Sequence, residues 1–354
     1  MLNYAPSDLL ISVIIPVHRG GKAFSQCLAS LKNSRLFPSE VIIVVDGEDN
    51  QSYRVAEGFG AKLLQLKSNR GPATARNRGA EVAKGDILLF IDADVTIQPD
   101  TLEKIVSVFQ NDPDLAALMG SYDDRPGASN FLSQYKNLFH HYNHQIGSEE
   151  ASTFWGACGA IKRDIFLKMG GFNESYRRPC IEDIDLGYRL KVRGYRIRLC
   201  KNIYVKHLKH WTPYSLLRAD FFYRALPWTE LIHRERNFVN DLNLQWSSRL
   251  SVILIYLLVI MTIASIWFPP LLLLGGLFIL GLIVLNWPVY QFFSQKRGLL
   301  FTLQTLPWHW FYYFYSGLAF VIGTAKYRLR GNCLPYPIKL NVKFAFEKFI
   351  APRN

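Results

Sequence analysis

Residues 87–94 read Ile-Leu-Leu-Phe-Ile-Asp-Ala-Asp, five apolar residues ending on the pair Asp92 and Asp94. An apolar run of this length, entered through the turn Lys84-Gly85-Asp86, predicts a strand buried on both faces. Ile11–Val17 and 41–45 have the same character, and between them the spacing over 23–31 puts Phe24, Leu28 and Leu31 on one helical face. This β-α-β order predicts an α/β domain with a doubly wound parallel sheet, whose ligands bind beyond the carboxyl ends of the strands. The polar residues there are His18 and Arg19, then Asp46, then Asp92 and Asp94, so three strands deliver polar groups to one edge. Further on, the pattern predicts helices over 102–109, 162–169 and 183–193 and short strands at 197–199 and 204–205, with an irregular stretch from 110 to 161.

The chain has 354 residues and a net charge of +13, unevenly spread. Residues 1–185 carry 19 Lys/Arg against 23 Asp/Glu, residues 186–246 carry 12 against 4, and residues 326–354 carry 7 against 1. Residues 250–295 and 298–325 hold no Asp, Glu, Lys or Arg. A membrane crossing needs about 20 apolar residues, so these stretches can supply up to three, over 250–268, 271–293 and 299–325. An ordinary soluble protein is excluded on this reading. Basic surplus flanking apolar segments fits anionic lipid head groups, or a diphosphate for the segment 186–246, better than nucleic acid. Cys27, Cys158, Cys180, Cys200 and Cys333 form no CxxC pair, and they suggest neither a disulfide framework nor a zinc site. The apolar run near the N-terminus lacks basic residues before it and a cleavage site after it, so it reads as a strand rather than a signal peptide. The expected arrangement is a domain over 1–246 on the cytoplasmic side, a multi-pass membrane region over 247–325 and a basic tail over 326–354.

Three clusters carry chemistry. Asp92 and Asp94 can share a divalent cation whose other ligands are phosphate oxygens, which suits Mg²⁺ or Mn²⁺; the alternative is a solvated turn. In Asn69-Arg70-Gly71-Pro72-Ala73-Thr74-Ala75-Arg76-Asn77, small residues allow close approach to a ligand while Arg70 and Arg76 face phosphates; the alternative is a Pro-started helix with surface arginines. Glu182, Asp183 and Asp185 stand at a helix start, where acids also stabilise the helix dipole, and one of them can accept a proton from an acceptor hydroxyl.

Read in order, Ile14-Ile15-Pro16-Val17, Val44-Val45-Asp46-Gly47, Asn69-x-Gly-x-Ala-x-Ala-Arg-Asn77, Asp92-Ala-Asp94 and Ile181-Glu-Asp183-Ile-Asp-Leu-Gly-Tyr-Arg-Leu190 resemble glycosyltransferase family 2 with the GT-A fold, over about residues 9–240. The resemblance implies an inverting, metal-dependent transferase using a nucleotide-sugar donor. It implies that Pro16, Val17, His18 and Asp46 line the nucleoside pocket, Asp46 facing the base, with Arg70 and Arg76 also on the donor. Asp94 is then the metal ligand, Asp92 lies nearer the ribose and sugar, and Asp183 is the catalytic base. His207 completes the metal site in this reading, the alternative being a packed histidine. Glu182, Lys209, Arg224 and Trp228 are candidates for diphosphate or acceptor, and Trp155 for stacking on a sugar or for the core. The Gln-x-x-Arg-Trp motif of processive synthases is absent; the matching region runs from Asp220 through Arg224 to Trp228, which argues for single-sugar transfer. Two consecutive Asp residues of many relatives are replaced by Asp46-Gly47.

For the apolar region, Pro269-Pro270 divides a helical hairpin, and Lys296 with Arg297 returns the chain to the cytoplasmic face. Pro307 and the aromatic cluster 308–313 suggest that 299–325 is interfacial or broken. The acceptor expected from this placement is a lipid or lipid-linked glycan, with no nucleic acid partner. A catalytically inactive membrane scaffold of the same fold is the competing reading, and the retained acids Asp46, Asp92, Asp94 and Asp183 count against it. A nucleotidyltransferase would want a Gly-rich basic loop, which His18-Arg19-Gly20-Gly21-Lys22 imitates loosely.

Overall fold

A computed structural model describes residues 9–235 and 242–329. Of the features expected above, the basic tail beyond 329 and Cys333 lie outside the described residues. The described part holds one eight-stranded sheet: β1 (Ile11–Val17), β2 (Glu40–Asp46), β3 (Lys62–Leu66), β4 (Ile87–Ile91), β5 (Val95–Ile97), β6 (Ala117–Tyr122), β7 (Cys158–Lys162) and β8 (Ile197–His207). Their order is β3-β2-β1-β4-β7-β6-β8-β5. The three apolar runs are strands as expected, with every residue of β4 buried. The two short strands near 200 are one strand, β8.

The all-parallel expectation is corrected. The first four strands are parallel, but β7 runs antiparallel to both β4 and β6, and β5 antiparallel to β8. The reversal matters because it brings the start of β7 to the carboxyl end of β4, where Ile91 pairs with Cys158. β5 and β8 pair Val95 with His207, which sets that histidine beside Asp94. On β1, pairing with β4 runs to Ile14 opposite Phe90; Pro16 beyond it has no N–H to donate.

Helix Glu182–Val192 packs on the chain just before β7. Gly187 makes this possible, since a Cβ there would stand 2.3 Å from the Phe154 backbone nitrogen and 2.5 Å from the Thr153 carbonyl carbon. Gly71, at φ +90°, starts helix Pro72–Val82 in the same way, with the Arg177 backbone 2.5 Å from where a Cβ would be.

Of the up to three crossings that the sequence can supply, the structure gives one or two. Among the described residues, helix Trp246–Ala264 is long and apolar enough to cross a membrane, and a second crossing exists only if Leu271–Leu285 and Trp287–Leu329, bent by 62°, count as one. The expected 271–293 helix stops at Leu285 because Asn286 turns inward: its amide donates to Ser251 Oγ at 2.9 Å, and its oxygen accepts from Tyr313 Oη at 2.6 Å. Gly298, at φ +82°, breaks the last helix in two, whereas Pro307 does not interrupt it. Residues 287–297 lie against helix Phe131–Ile146, packing Val289, Tyr290 and Phe293 on Tyr135, Leu138 and Phe139. Lys296 Nζ reaches Asp124 at 2.7 Å and Arg297 reaches the Asp124 carbonyl at 2.6 Å, so both basic residues meet the sheet domain. The outward sides of the apolar helices expose Ile260, Ile263, Leu273 and Leu277.

Gly187→Ala tests the close packing under helix Glu182–Val192. Alanine favours the helix itself, so an expected loss of about 2 kcal/mol in urea or thermal unfolding reports the clash with residues 153 and 154.

Candidate active site

The carboxyl edge of β1, β2 and β4 gathers the predicted polar residues. Asp46 is buried, and both its oxygens accept backbone N–H groups, from Arg70 at 2.7 Å and Gly71 at 2.8 Å. Its carboxylate therefore closes the loop between β3 and helix Pro72–Val82, a role the motif reading missed. His18 Nδ1 lies 2.8 Å from the Asp46 carbonyl and its ring is exposed beside the half-buried Pro16, while the Val17 side chain points into the core. The Arg70 side chain is exposed at the same edge.

Arg76 is placed differently from the expectation. It is buried, donating from Nη2 to Asp92 at 2.6 Å and from Nη1 to Glu182 at 2.8 Å, with Phe172 under its guanidinium. Its two terminal nitrogens are spent on carboxylates, so it braces the site from below rather than facing a phosphate. Glu182, 5% exposed and also accepting the Cys180 N–H at 2.8 Å, is the other half of that brace and is not open to a substrate.

The three acids at the helix start have three fates. Glu182 pairs with Arg76, and Asp185 is held by Arg189 at 2.8 Å and Arg234 at 2.7 Å. Asp183 has no such cation: its Oδ2 accepts the Gly156 N–H at 3.0 Å and its Oδ1 accepts the Ile184 N–H at 2.8 Å. Burial, then repulsion from Glu182, push its carboxyl up to about 6, against the pull of the Gly156 N–H and Arg76. A carboxylate so placed takes up a proton readily near neutral pH, as a general base must.

Asp94 Oδ2 and His207 Nε2 face each other at 3.6 Å, beyond hydrogen-bond length, with Asp94 34% and His207 11% exposed at the side chain. Burial works against the charge on Asp94, yet His207 and then Lys209 outweigh it and hold the carboxyl down at about 2. Tyr122 stacks on the imidazole with ring centroids 4.5 Å apart and fixes its plane. One carboxylate and one imidazole form a donor pair that Mn²⁺ accepts. No third His, Cys, Asp or Glu joins them among the described residues, so the pair fits an ion that completes its shell from a diphosphate or water.

The remaining candidates divide. Lys209 is exposed, its ammonium 4.5 Å from the centre of the Trp211 ring, near Asp94. Arg224 binds Asp220 at 3.2 Å and keeps a 44% exposed side chain within electrostatic reach of Asp183 and Tyr122. Trp155 is half-buried, edge-on to Tyr122 at 4.7 Å and in contact with His140 and His144, so it forms a wall behind His207. Trp228 donates to Tyr188 Oη at 3.2 Å and packs behind the helix of Asp183, away from the role expected of it. The sequence reading missed Tyr122, Gly156, Lys136 and Asp220; only Asp220 left a trace, as the i,i+4 partner of Arg224.

Residues 12–170 match the family model described as Glycosyl transferase family 2, and residues 137–211 match one described as N-terminal domain of galactosyltransferase. Among curated proteins, the chain is 31% identical over 166 residues to the glucosyl-dolichyl phosphate glucuronosyltransferase of Haloferax volcanii, covering 44% of this chain and 53% of that one. It is 26% identical over 197 residues to a poly-beta-1,6-N-acetyl-D-glucosamine synthase of Staphylococcus aureus, covering 53% of this chain and 47% of that one. The chain thus spans about half the length of these two relatives. Among solved structures, S. aureus TarS 1-349 in complex with UDP-GlcNAc superposes with a TM-score of 0.50 at 20% identity, covering 64% of this chain and 66% of that one, a likeness of fold.

Arg76→Met is expected to cost about 3 kcal/mol in unfolding free energy, because it leaves the Glu182 carboxylate buried without a cation. Arg76→Lys should recover only part of that loss, since a point charge does not span both carboxylates as the planar fork does.

Proposed function

We propose that this chain, which belongs to glycosyl transferase family 2 through residues 12–170, is a membrane-bound inverting glycosyltransferase that moves a sugar from a nucleotide-sugar to a lipid or lipid-linked acceptor. The observation that carries the reading is Asp183: among the described residues it forms no ion pair while Glu182 and Asp185 do, and its raised proton affinity suits a base. Asp183 takes the proton from the acceptor hydroxyl as that oxygen attacks the anomeric carbon in line. His18, Pro16 and the exposed Arg70 border the nucleoside side of the edge. Asp94 and His207 would hold a divalent cation, which supplies charge neutralisation for the departing diphosphate. Lys209 and Arg224 add positive charge on that side. Asp92, fixed by Arg76, keeps one oxygen for the donor's ribose or sugar.

The lipid acceptor is supported by two independent features. The exposed apolar sides of the helices after residue 246 suit a bilayer, and the Haloferax volcanii relative is named for a dolichyl phosphate glycan. Single-sugar transfer follows from the altered motif between Asp220 and Trp228. Five intact site residues, Asp92, Asp94, Asp183, His207 and Arg224, weigh against an inactive scaffold.

Purified full chain in detergent, offered UDP-, GDP- and TDP-sugars with Mn²⁺, should turn over one donor class, and EDTA should abolish turnover. With that donor, kcat should rise through pH 6 and level off above it. Asp183→Asn should remove that limb and lower kcat by about 10³-fold or more. Because the folded state holds the Asp183 proton more tightly than the unfolded chain, Asp183 costs stability as pH rises from the ordinary carboxylate range through about 6. The variant should therefore melt at or above the parent temperature at pH 7.5, which separates lost chemistry from lost folding. Near-normal turnover by the folded variant would remove Asp183 from the role of base.

A further inference from the structure

The last helix, 299–329, packs aromatic side chains on helix Phe131–Ile146, and it also meets one buried carboxylate. Asp220, 5% exposed, lies in the π-helical turn Ala219–Ala225. It accepts Lys136 Nζ at 2.8 and 2.7 Å, Arg224 Nη1 at 3.2 Å and the Tyr315 hydroxyl at 2.9 Å. Lys136 belongs to helix Phe131–Ile146 and Tyr315 to the last helix, so three separate segments meet on one group. Two cations against one carboxylate leave the cluster with surplus positive charge, and the more exposed cation, Arg224, lies within electrostatic range of Asp183. π-helical turns within helices are often found where a side chain must be aimed at a functional site.

The turn runs directly into helix Leu226–Glu235, which links the same two regions again. On one side His233 Nε2 meets Thr324 Oγ1 at 2.8 Å, and Gly323 leaves room for Thr229, whose Cβ would be 2.9 Å from any Cβ placed there. On the other side Trp228 holds Tyr188 and Arg234 holds Asp185, both on the helix that carries Asp183. Contacts on its two sides therefore link the last helix to the helix that carries Asp183.

We propose that Asp220 is a positioning residue for the transfer reaction: Tyr315 and Lys136 fix its carboxylate, and the carboxylate fixes Arg224 at the mouth of the site. Helix 299–329 is then part of the active-site frame as well as an apolar surface. The proposal rests on the transferase reading. Removing Asp220 itself would strand Lys136 in the interior, so the informative change is Tyr315→Phe, which keeps the ring, keeps both cations paired and frees the carboxylate to turn.

The test uses full chain in detergent with the nucleotide-sugar that the unmodified protein turns over, alongside Val321→Ala on the exposed side of the same helix as a control. Tyr315→Phe should lower kcat about tenfold, leave the donor KM within about twofold, and speed amide hydrogen exchange in residues 219–225. Val321→Ala should match the parent in all three. A lowered melting temperature with unchanged kcat per folded molecule would overturn the proposal, because the contact would then serve stability alone. Unchanged exchange in 219–225 would overturn it too. If the parent turns over no nucleotide-sugar, the transferase reading fails by itself. Exchange then decides whether Tyr315 holds the turn: faster exchange in Tyr315→Phe sustains that contact, and unchanged exchange overturns it.

Discussion

The site depends on a guanidinium that no substrate needs to touch. Arg76 is buried between Asp92 and Glu182, and each partner is the near neighbour of another carboxylate, Asp94 on one side and Asp183 on the other. The two carboxylates come from segments about ninety positions apart in the chain, so nothing local sets their distance. A planar fork with two parallel donors does set it. Gly156 completes the arrangement, because a Cβ there would stand 3.0 Å from the guanidinium while its own N–H is turned to Asp183. One arginine and one glycine thus fix Asp183 relative to the Asp92–Asp94 turn. Burying a cation is costly unless it is paired, and pairing it twice makes the position tolerable. It also leaves Asp183 with only part of the attraction of Arg76, which is one reason its proton affinity stays high.

What the sequence makes legible follows from locality. Buried parallel strands declare themselves as apolar runs, so β1, β2 and β4 and the acids after them were readable. The motif order also singled out Asp183 and His207, which lie beside Gly156 and Asp94. The reversal at β7 was not readable: Cys158–Lys162 is short, contains Gly159 and Lys162, and has no periodicity that distinguishes parallel from antiparallel pairing. The helix Phe131–Ile146 is hidden for another reason. It buries polar residues such as Asn137, His141 and His144 together with its apolar ones, so no clean stripe appears. Residue type alone also misassigned Arg76, Glu182 and Trp228, since a charged or aromatic residue in a motif looks the same whether it meets a ligand or another side chain.

The apolar region illustrates the same limit from the other direction. Absence of charge over 250–295 predicts apolar helices, and they form, but composition does not reveal Asn286 as the residue that ends one of them. A single amide buried among Ser251, Leu282 and Tyr313 bends the path because it must find hydrogen-bond partners away from water. Lys296 and Arg297, read as returning the chain to the side of the sheet domain, bind Asp124 and Gln134 of that domain, which seats the following helix on it.

The charge asymmetry along the chain has an explanation inside the fold. The basic surplus of residues 186–246 looks in sequence like a face for the bilayer or for a diphosphate. Five of its arginines are bound to acids in the structure. Arg189 and Arg234 hold Asp185, Arg196 and Arg198 hold Asp112, and Arg224 holds Asp220. Asp112 and Asp185 both belong to the acidic first segment, so part of the excess on each side is internal complementarity between two stretches of one domain. The exposed pairs at Asp112 contribute little to stability, whereas the buried Asp185 needs its two arginines. Each of these carboxylates carries two cations, and Arg224 differs from the other four in lying within electrostatic range of Asp183 and Tyr122. Of the five arginines it is thus Arg224 that adds positive charge beside the carboxyl edge of the sheet.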